Sequence, residues 1–257
     1  MTTIRCVSPV NGEVYAERPA LPPEAAAAAV ARARAAQGAW AATPLEERIA
    51  KVREGIRRLN DQKDRIVDEL AWQMGRPVRY GGEFGGVNER ASYMASIAAE
   101  ALKPLEAEDS DRFTRRIERQ PVGVVFVIAP WNYPYLTACN TIIPALIAGN
   151  AVIHKAASQT LLVGERWQEA FDGALPEGVF QNVVLDHEGT ERLIRDRSFG
   201  FVNFTGSVAG GQAIERVAAG TFTPLGLELG GKDPGYVMED ADLDWAVDVL
   251  MDGAMYN

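Results

Sequence analysis

The chain has 257 residues, 47% hydrophobic, 24% charged and 8% aromatic, a balance that supports a sizeable buried core and excludes disordered and fibrous classes. Lys and Arg number 26 against 35 Asp and Glu, and the resulting formal charge of -9 argues against a general nucleic-acid or anionic-membrane surface. Two cysteines, Cys6 and Cys139, make neither a disulfide framework nor a zinc cluster, so no metal site is expected and a reducing cytoplasm is the simplest compartment.

Met1 to Tyr15 lacks the basic and apolar regions of a secretory signal. Pro9, Asn11-Gly12 and Pro19 within residues 1–20 predict a small hairpin arm. An Ala-rich helix runs from Pro23 to about Trp40, and Thr43-Pro44-Leu45-Glu46 reads as the N-cap, first-turn proline and early acids of the next. Ile49, Val52, Ile56 and Leu59, then Ile66 and Leu70, recur at helical spacing as one apolar stripe, which Gly75 and Pro77 end. Another Ala-rich helix covers Glu89 to Leu102. Asp109 to Gln120 is charged yet carries Phe113, Thr114 and Ile117, the pattern of an exposed edge strand or hairpin available for subunit contact.

Gln120 to His154 holds no charged residue, a length that suggests a membrane span. Pro130, Pro134 and Pro144, with Asn132, Asn140 and Asn150, are too costly in lipid, so no membrane insertion is expected. The stretch reads instead as strand, loop, helix and strand buried in an α/β domain. Strands are predicted at Gly123–Ile128, Ala151–Lys155, Asn182–Leu185, Gly200–Phe204 and Pro224–Leu229. Helical patterns lie between them at 135–148, 159–172, 189–196 and 207–219, and a last one covers Asp242 to Tyr256. This alternation predicts a Rossmann-like parallel sheet flanked by helices, with ligands beyond the carboxyl ends of the strands.

Those strand ends carry unusual residues. The first gives Ala129-Pro130-Trp131-Asn132-Tyr133-Pro134, a loop held by two prolines that presents an amide. The second gives His154-Lys155 and Ser158-Gln159-Thr160; the fourth gives Phe204-Thr205-Gly206-Ser207 at a helix start, where free N–H groups and the helix dipole favour a phosphate. The fifth gives Leu227-Glu228-Leu229-Gly230-Gly231-Lys232, where an inward Glu228 is expected to be desolvated, as suits a general base. Singly these read as a turn, a solvated lysine and an ordinary N-cap; four at successive strand ends point to a site.

In this order the motifs resemble the aldehyde dehydrogenase superfamily. The resemblance implies that Asn132 is the oxyanion-hole amide and that Glu228 activates the water that hydrolyses a thioester. It implies that Lys155 binds the adenosine ribose or an attached phosphate, and that Gly206 and Ser207 sit at the pyrophosphate and nicotinamide end. Leu229 and Gly230 line the nicotinamide pocket, and Ile128, Pro130 and Trp131 form part of the cleft wall. NADP or NAD is the implied cofactor, a small aldehyde the implied substrate, and the 109–120 segment the implied homo-oligomer contact. Residues 1–105 then form an N-terminal arm and helical lead-in, and 121–257 the sheet core.

Three departures qualify the resemblance. Ser158 stands where NAD-preferring relatives often place a glutamate, and a hydroxyl can donate to a 2′-phosphate, so NADP is expected to be accepted. Asp186-His187-Glu188-Gly189 follows the third strand with one glycine and two acids, so no cofactor contact is expected there. The family's nucleophilic cysteine falls a few residues past the position of Asn257. Cys139 reads as a buried inert thiol and Cys6 lies far from every motif, so the expectation is the cofactor-binding portion of a longer enzyme, with the catalytic domain missing and this chain alone inactive. A natural short chain that binds a dinucleotide or partner without catalysis is the alternative. A hydrolase of α/β type is disfavoured by the lack of a Gly-x-Ser-x-Gly elbow.

Overall fold

A computed structural model of the chain describes residues 2–106 and 112–255. Antiparallel strands β1 (Thr3–Val7) and β2 (Val14–Pro19) form the expected hairpin arm, with Gly12 at φ +76° in its turn. Helix α1 (Pro23–Ala42) starts on a proline that lacks the N–H a first helical turn does not need. The Thr43 hydroxyl donates to the Ala39 carbonyl and closes α1, so it does not cap the next helix; α2 (Leu45–Asn60) begins after Pro44 without a side-chain cap. The single apolar stripe is divided between α2 and α3 (Lys63–Met74), which part at Asp61-Gln62, and Gly75 ends α3 in the left-handed conformation at φ +80°. Helix α4 (Phe84–Ala101) starts five residues before the predicted Glu89.

Strands β3 (Leu105–Glu106) and β4 (Arg116–Ile117) pair antiparallel. The hairpin predicted at 109–120 therefore has its first arm earlier, and its Asp109–Asp111 part lies outside the described residues. Phe113 and Ile117 are exposed here.

The remaining strands form one parallel sheet. They are β5 (Val124–Ile128), β6 (Ala151–Lys155), β7 (Phe180–Asn182), β8 (Phe201–Gly206) and β9 (Leu225–Leu229), in the order β7-β6-β5-β8-β9. Helices α5 (Pro134–Ile147), α6 (Leu162–Phe171), α7 (His187–Arg195) and α8 (Val208–Ala218) lie between the strands, and α9 (Leu243–Met255) follows β9. Every residue of β5 and β6 is buried. Val125, Val127 and Val152 enter the core that contains α2, α4, α5 and α6, while Val124, Phe126, Ile128, Ala151 and Ile153 enter the one that contains α1, α7 and α8. Alternation of side chains along a strand thus divides one apolar run between two layers. The uncharged 120–154 stretch is strand, loop, helix and strand, as expected.

Helix α1 is a covering layer of the sheet, packed through Ala26, Ala29, Val30 and Ala33, more than a lead-in to it. Its Trp40 indole donates to the Leu146 carbonyl at 2.9 Å, and the buried Arg48 of α2 donates to the Ile147 carbonyl at 2.8 Å. The last turn of α5 is thus closed by the N-terminal helices together with the Gly149 N–H, which donates to the Leu146 carbonyl at 3.0 Å. The entry to β8 is equally tight: a Cβ on Gly200 would lie 1.9 Å from the Val122 carbonyl oxygen.

The third strand was expected at Asn182–Leu185 and occurs at Phe180–Asn182. Val183 still donates its N–H to the His154 carbonyl of β6 at 2.8 Å, so pairing ends there, and Leu185 is buried beyond the ladder. Helix α9 has Ala246 as its buried residue and exposes Leu243, Trp245 and Val247; Tyr256, the predicted end of this helix, lies outside the described residues. Among the described residues no helix is long and apolar enough to cross a membrane.

His154 on β6 is fully buried, stacked 6.1 Å from the Phe180 ring, and neither ring nitrogen has a hydrogen-bond partner among the described residues. Burial, reinforced by the adjacent Lys155 charge and offset in part by Asn182, pushes the imidazole down to about 3. The neutral ring is therefore favoured in the fold, and its contribution is complete above the unfolded value near 6.5 and is lost as pH falls toward 3. Urea unfolding near pH 7 and near pH 4.5 is expected to show a loss of stability for the parent chain larger than for His154→Leu, by roughly 2–3 kcal/mol. Equal pH dependence of the two proteins would contradict this account.

Candidate functional site

The order of the sheet reverses beside β5: the chain moves outward through β6 to β7, then returns to place β8 on the other side. Loops leaving the ends of β5 and β8 must diverge there, and divergence opens a crevice at the carboxyl end of the sheet. The register aligns Ile128 with Lys155 on one side and with Phe204 on the other, then Thr205 with Glu228 and Gly206 with Leu229. A cleft of about 670 Å³ lies over these strand ends, within the range of small-molecule sites.

The residues given site roles from sequence all line that one cleft, namely Ile128, Pro130, Trp131, Asn132, Lys155, Ser158, Gly206, Ser207, Glu228, Leu229 and Gly230, whereas Gln159, Thr160, Gly231 and Lys232 of the same motifs do not. Pro130 and Pro134 are buried and hold the loop between them, which leaves Trp131 and Asn132 exposed at its tip. Lys155 ends β6, is 9% exposed, and its ammonium lies 3.5 Å from the Ala156 carbonyl. Burial lowers its pKa and the charge of Asp186 opposes that shift, so a bound anion would restore part of its lost solvation. Ser158 is exposed at the start of the short 3-10 turn Ser158–Thr160 that precedes α6.

Ser207 caps α8: its hydroxyl accepts from the Gly210 N–H at 3.1 Å, and its carbonyl accepts from the Gly211 N–H at 2.9 Å. The first N–H groups of the helix, at Val208 and Ala209, have no intrahelical acceptor and give this rim of the cleft a positive end. A Cβ on Gly211 would come 2.5 Å from the Leu229 side chain, which shows how closely the helix start sits on β9.

Glu228 departs from expectation. It lines the cleft but is exposed, because β9 is the edge strand and residues 230–240, which follow it, are themselves exposed. The desolvation expected from its apolar run does not occur in this chain.

The sequence reading passed over several residues of the cleft. His187, Thr190 and Glu191 of α7 line it beside the loop after the third strand; Gly210, Ala213 and Ile214 of α8 do so as well. Within each set the later residues are three and four positions from the first, so one face of each helix turns toward the strand ends. Asp186 caps α7 by accepting from the Gly189 N–H at 2.8 Å, which is the work its carboxylate does in place of a glycine-rich turn.

Neither thiol lines the cleft. Cys139 is wholly buried in α5, with Sγ 3.8 Å from the Val87 carbonyl, and burial pushes it up to about 12. Cys6 is distant in sequence yet packs against the turn after β6, with its thiol 2.9 Å from the Gln159 carbonyl, and burial pushes it up to about 11. The cleft thus offers an anion-binding corner, an exposed amide and an exposed carboxylate, which suits a phosphorylated ligand beside a reacting carbonyl.

Comparison with known proteins agrees. Residues 1–257 match the model described as "Aldehyde dehydrogenase family". The chain is 35% identical over 264 residues to a 4,4'-diapolycopene aldehyde oxidase from Methylomonas sp, covering 100% of this chain and 50% of that protein. Its fold is similar to an NAD-dependent benzaldehyde dehydrogenase from Corynebacterium glutamicum, with a TM-score of 0.90 at 29% identity over 98% of this chain and 55% of that one. It is likewise similar to an NADP-dependent glyceraldehyde-3-phosphate dehydrogenase from Bacillus halodurans C-125 complexed with NADP, with a TM-score of 0.88 at 31% identity over 98% and 54% of the two chains. The chain spans about half the length of the curated relatives it matches.

Burial of both thiols sets a direct check. Neither Cys6 nor Cys139 is expected to react with a soluble disulfide reagent near pH 8 in the folded chain, and both react once guanidinium unfolds it; prompt modification of the native chain would overturn the burial assignment.

Proposed function

The chain belongs to the aldehyde dehydrogenase family, and on that premise we propose that it is the NAD(P)-binding portion, residues 1–257, of an enzyme that oxidises an aldehyde to a carboxylic acid. The observation that carries this reading is the convergence of all the strand-end motifs on one cleft at the switch point of the sheet. When bound, NADP or NAD supplies the hydride acceptor.

This chain's own residues have the following roles. Lys155, brought to the rim by β6, holds the adenosine ribose or its phosphate, with Ser158 as a neutral donor beside it. Gly206 and Ser207 give the dinucleotide the positive end of α8, and the lack of a side chain at Gly206 lets backbone approach it. Ile128, Pro130 and Trp131 form one wall and Leu229 with Gly230 the other. Asn132 donates its amide to the negative charge that develops on the aldehyde oxygen. Glu228 accepts a proton from the water that attacks the acyl carbonyl, and the acid and the free thiol leave. Because Cys6 and Cys139 are buried away from the cleft, the acyl carrier in this reading is a thiol other than these two.

Burial of both thiols also favours the narrower reading for the isolated chain, dinucleotide binding without turnover. The exposed Phe113 and Ile117 of the β3–β4 hairpin suit a contact between copies of the protein, and two unpaired thiols suit a reducing cytoplasm.

A titration of the 257-residue chain with each cofactor is expected to show NADP binding at least as tight as NAD. Ser158→Glu is expected to weaken NADP at least tenfold, ~1.4 kcal/mol, with a smaller effect on NAD, because a carboxylate repels the 2′-phosphate. Tenfold tighter NAD binding by the parent would sink the Ser158 assignment. Failure to bind either cofactor would sink the site, and aldehyde oxidation above background would sink the reading of the thiols.

A further inference from the structure

Two charges lie under the Pro130–Pro134 loop, outside the cleft lining. Arg76 follows the left-handed cap of α3, and Glu83 precedes α4; their side chains are 5% and 2% exposed and 2.7 Å apart. The other half of the Arg76 fork donates to the Asn132 carbonyl at 2.5 Å, and its guanidinium carbon lies 5.0 Å from the centroid of the Tyr133 ring. The second oxygen of Glu83 accepts from the Leu136 N–H at 2.6 Å, in the first turn of α5. The pair therefore grips the loop at residue 132, stacks on 133 and fixes the helix that begins at 134.

We propose that the Arg76–Glu83 pair is the positioning device for Asn132, holding its backbone so that the side-chain amide is presented to the cleft. Burying two charges carries a desolvation penalty that their attraction has to offset, and an apolar pair of similar volume packs as well or better. What an apolar pair lacks is the two directed bonds. A planar fork can bind a carboxylate with one arm and a carbonyl with the other, which sets distance and angle together. The carboxylate is also well placed at the positive end of α5. Arg76 and Glu83 lie outside the cleft lining and act through the loop. The catalytic meaning of the clamp rests on the oxyanion role proposed for Asn132; the ordering of the loop does not.

The test uses the 257-residue chain labelled with 5-fluorotryptophan, whose five tryptophans include Trp131 at the loop tip and Trp40 and Trp167 in the core. The Trp131 line is assigned with Trp131→Phe. The parent is expected to show one narrow Trp131 resonance. Arg76→Met is expected to broaden it at least twofold or split it, while the Trp40 and Trp167 lines stay in place; Arg76→Lys, which keeps the charge and a donor, recovers part of the order. An unchanged Trp131 line in folded Arg76→Met overturns the proposal. Should Arg76→Met not fold, Glu83→Gln, nearly equal in volume, carries the same readout, and loss of fold in both overturns the proposal by assigning the pair to the core. NADP titration of the same parent sample separates the two readings. A clamp-dependent Trp131 signal without NADP or NAD binding overturns the functional reading and leaves the clamp, and the converse overturns the clamp alone.

Discussion

A parallel strand that gives both faces to helices has no room for polar side chains except at its ends. In β5 and β6 this limit is reached, since each of their ten residues is buried and the alternating side chains feed two separate cores. The ends of these strands, with those of β8 and β9, are then the natural places for a lysine, an amide, a serine and a carboxylate to meet. The switch in strand order beside β5 parts the loops that leave those ends and creates the space between them. Site and core are two results of the same double burial.

A net charge of -9 does not oppose the anion-binding role proposed for the cleft. The global sign acts over distances that salt screens, whereas the Lys155 ammonium and the first N–H groups of α8 act at contact. Lys155 is also nearly buried, so it meets less competing water than a surface lysine. Among the buried polar side chains, two sites contrast. The Arg76–Glu83 pair is internally compensated and attached to the loop above it, while His154 is uncompensated and stays neutral. The contrast separates a buried charge that fixes geometry from a buried base that the fold simply tolerates.

Much of this was legible in the chain. Ala151–Lys155 was located to the residue because an unbroken apolar run flanked by Gly149-Asn150 and a lysine has one natural reading, and the strand-end rule was enough to gather every residue given a site role into one cleft. Errors arose where burial and pairing separate. Leu185 is buried without belonging to a ladder, and Glu228 belongs to a ladder without being buried. Thr43 has the side chain of an N-cap but closes the helix before it, since Pro44 already sets the break. His187, Thr190 and Glu191 were missed because the loop was judged by its lack of glycines, when the three-and-four spacing of the helix behind it was the better guide. The contact between Cys6 and Gln159 has no local signal at all, as it depends on where the hairpin arm lands.

Helix α9 carries a thermodynamic consequence. With Ala246 its buried residue and Leu243, Trp245 and Val247 already in water, it gives up little hydration change when it melts. The heat capacity of unfolding comes from apolar surface newly exposed, so this segment adds residues to the chain without adding its share of curvature to the stability curve. Its backbone hydrogen bonds are likewise held by local helix energetics more than by the cores, and they open in a separate, low-free-energy step. The heat capacity of unfolding of the folded chain is therefore expected to be that of a protein shorter than its length.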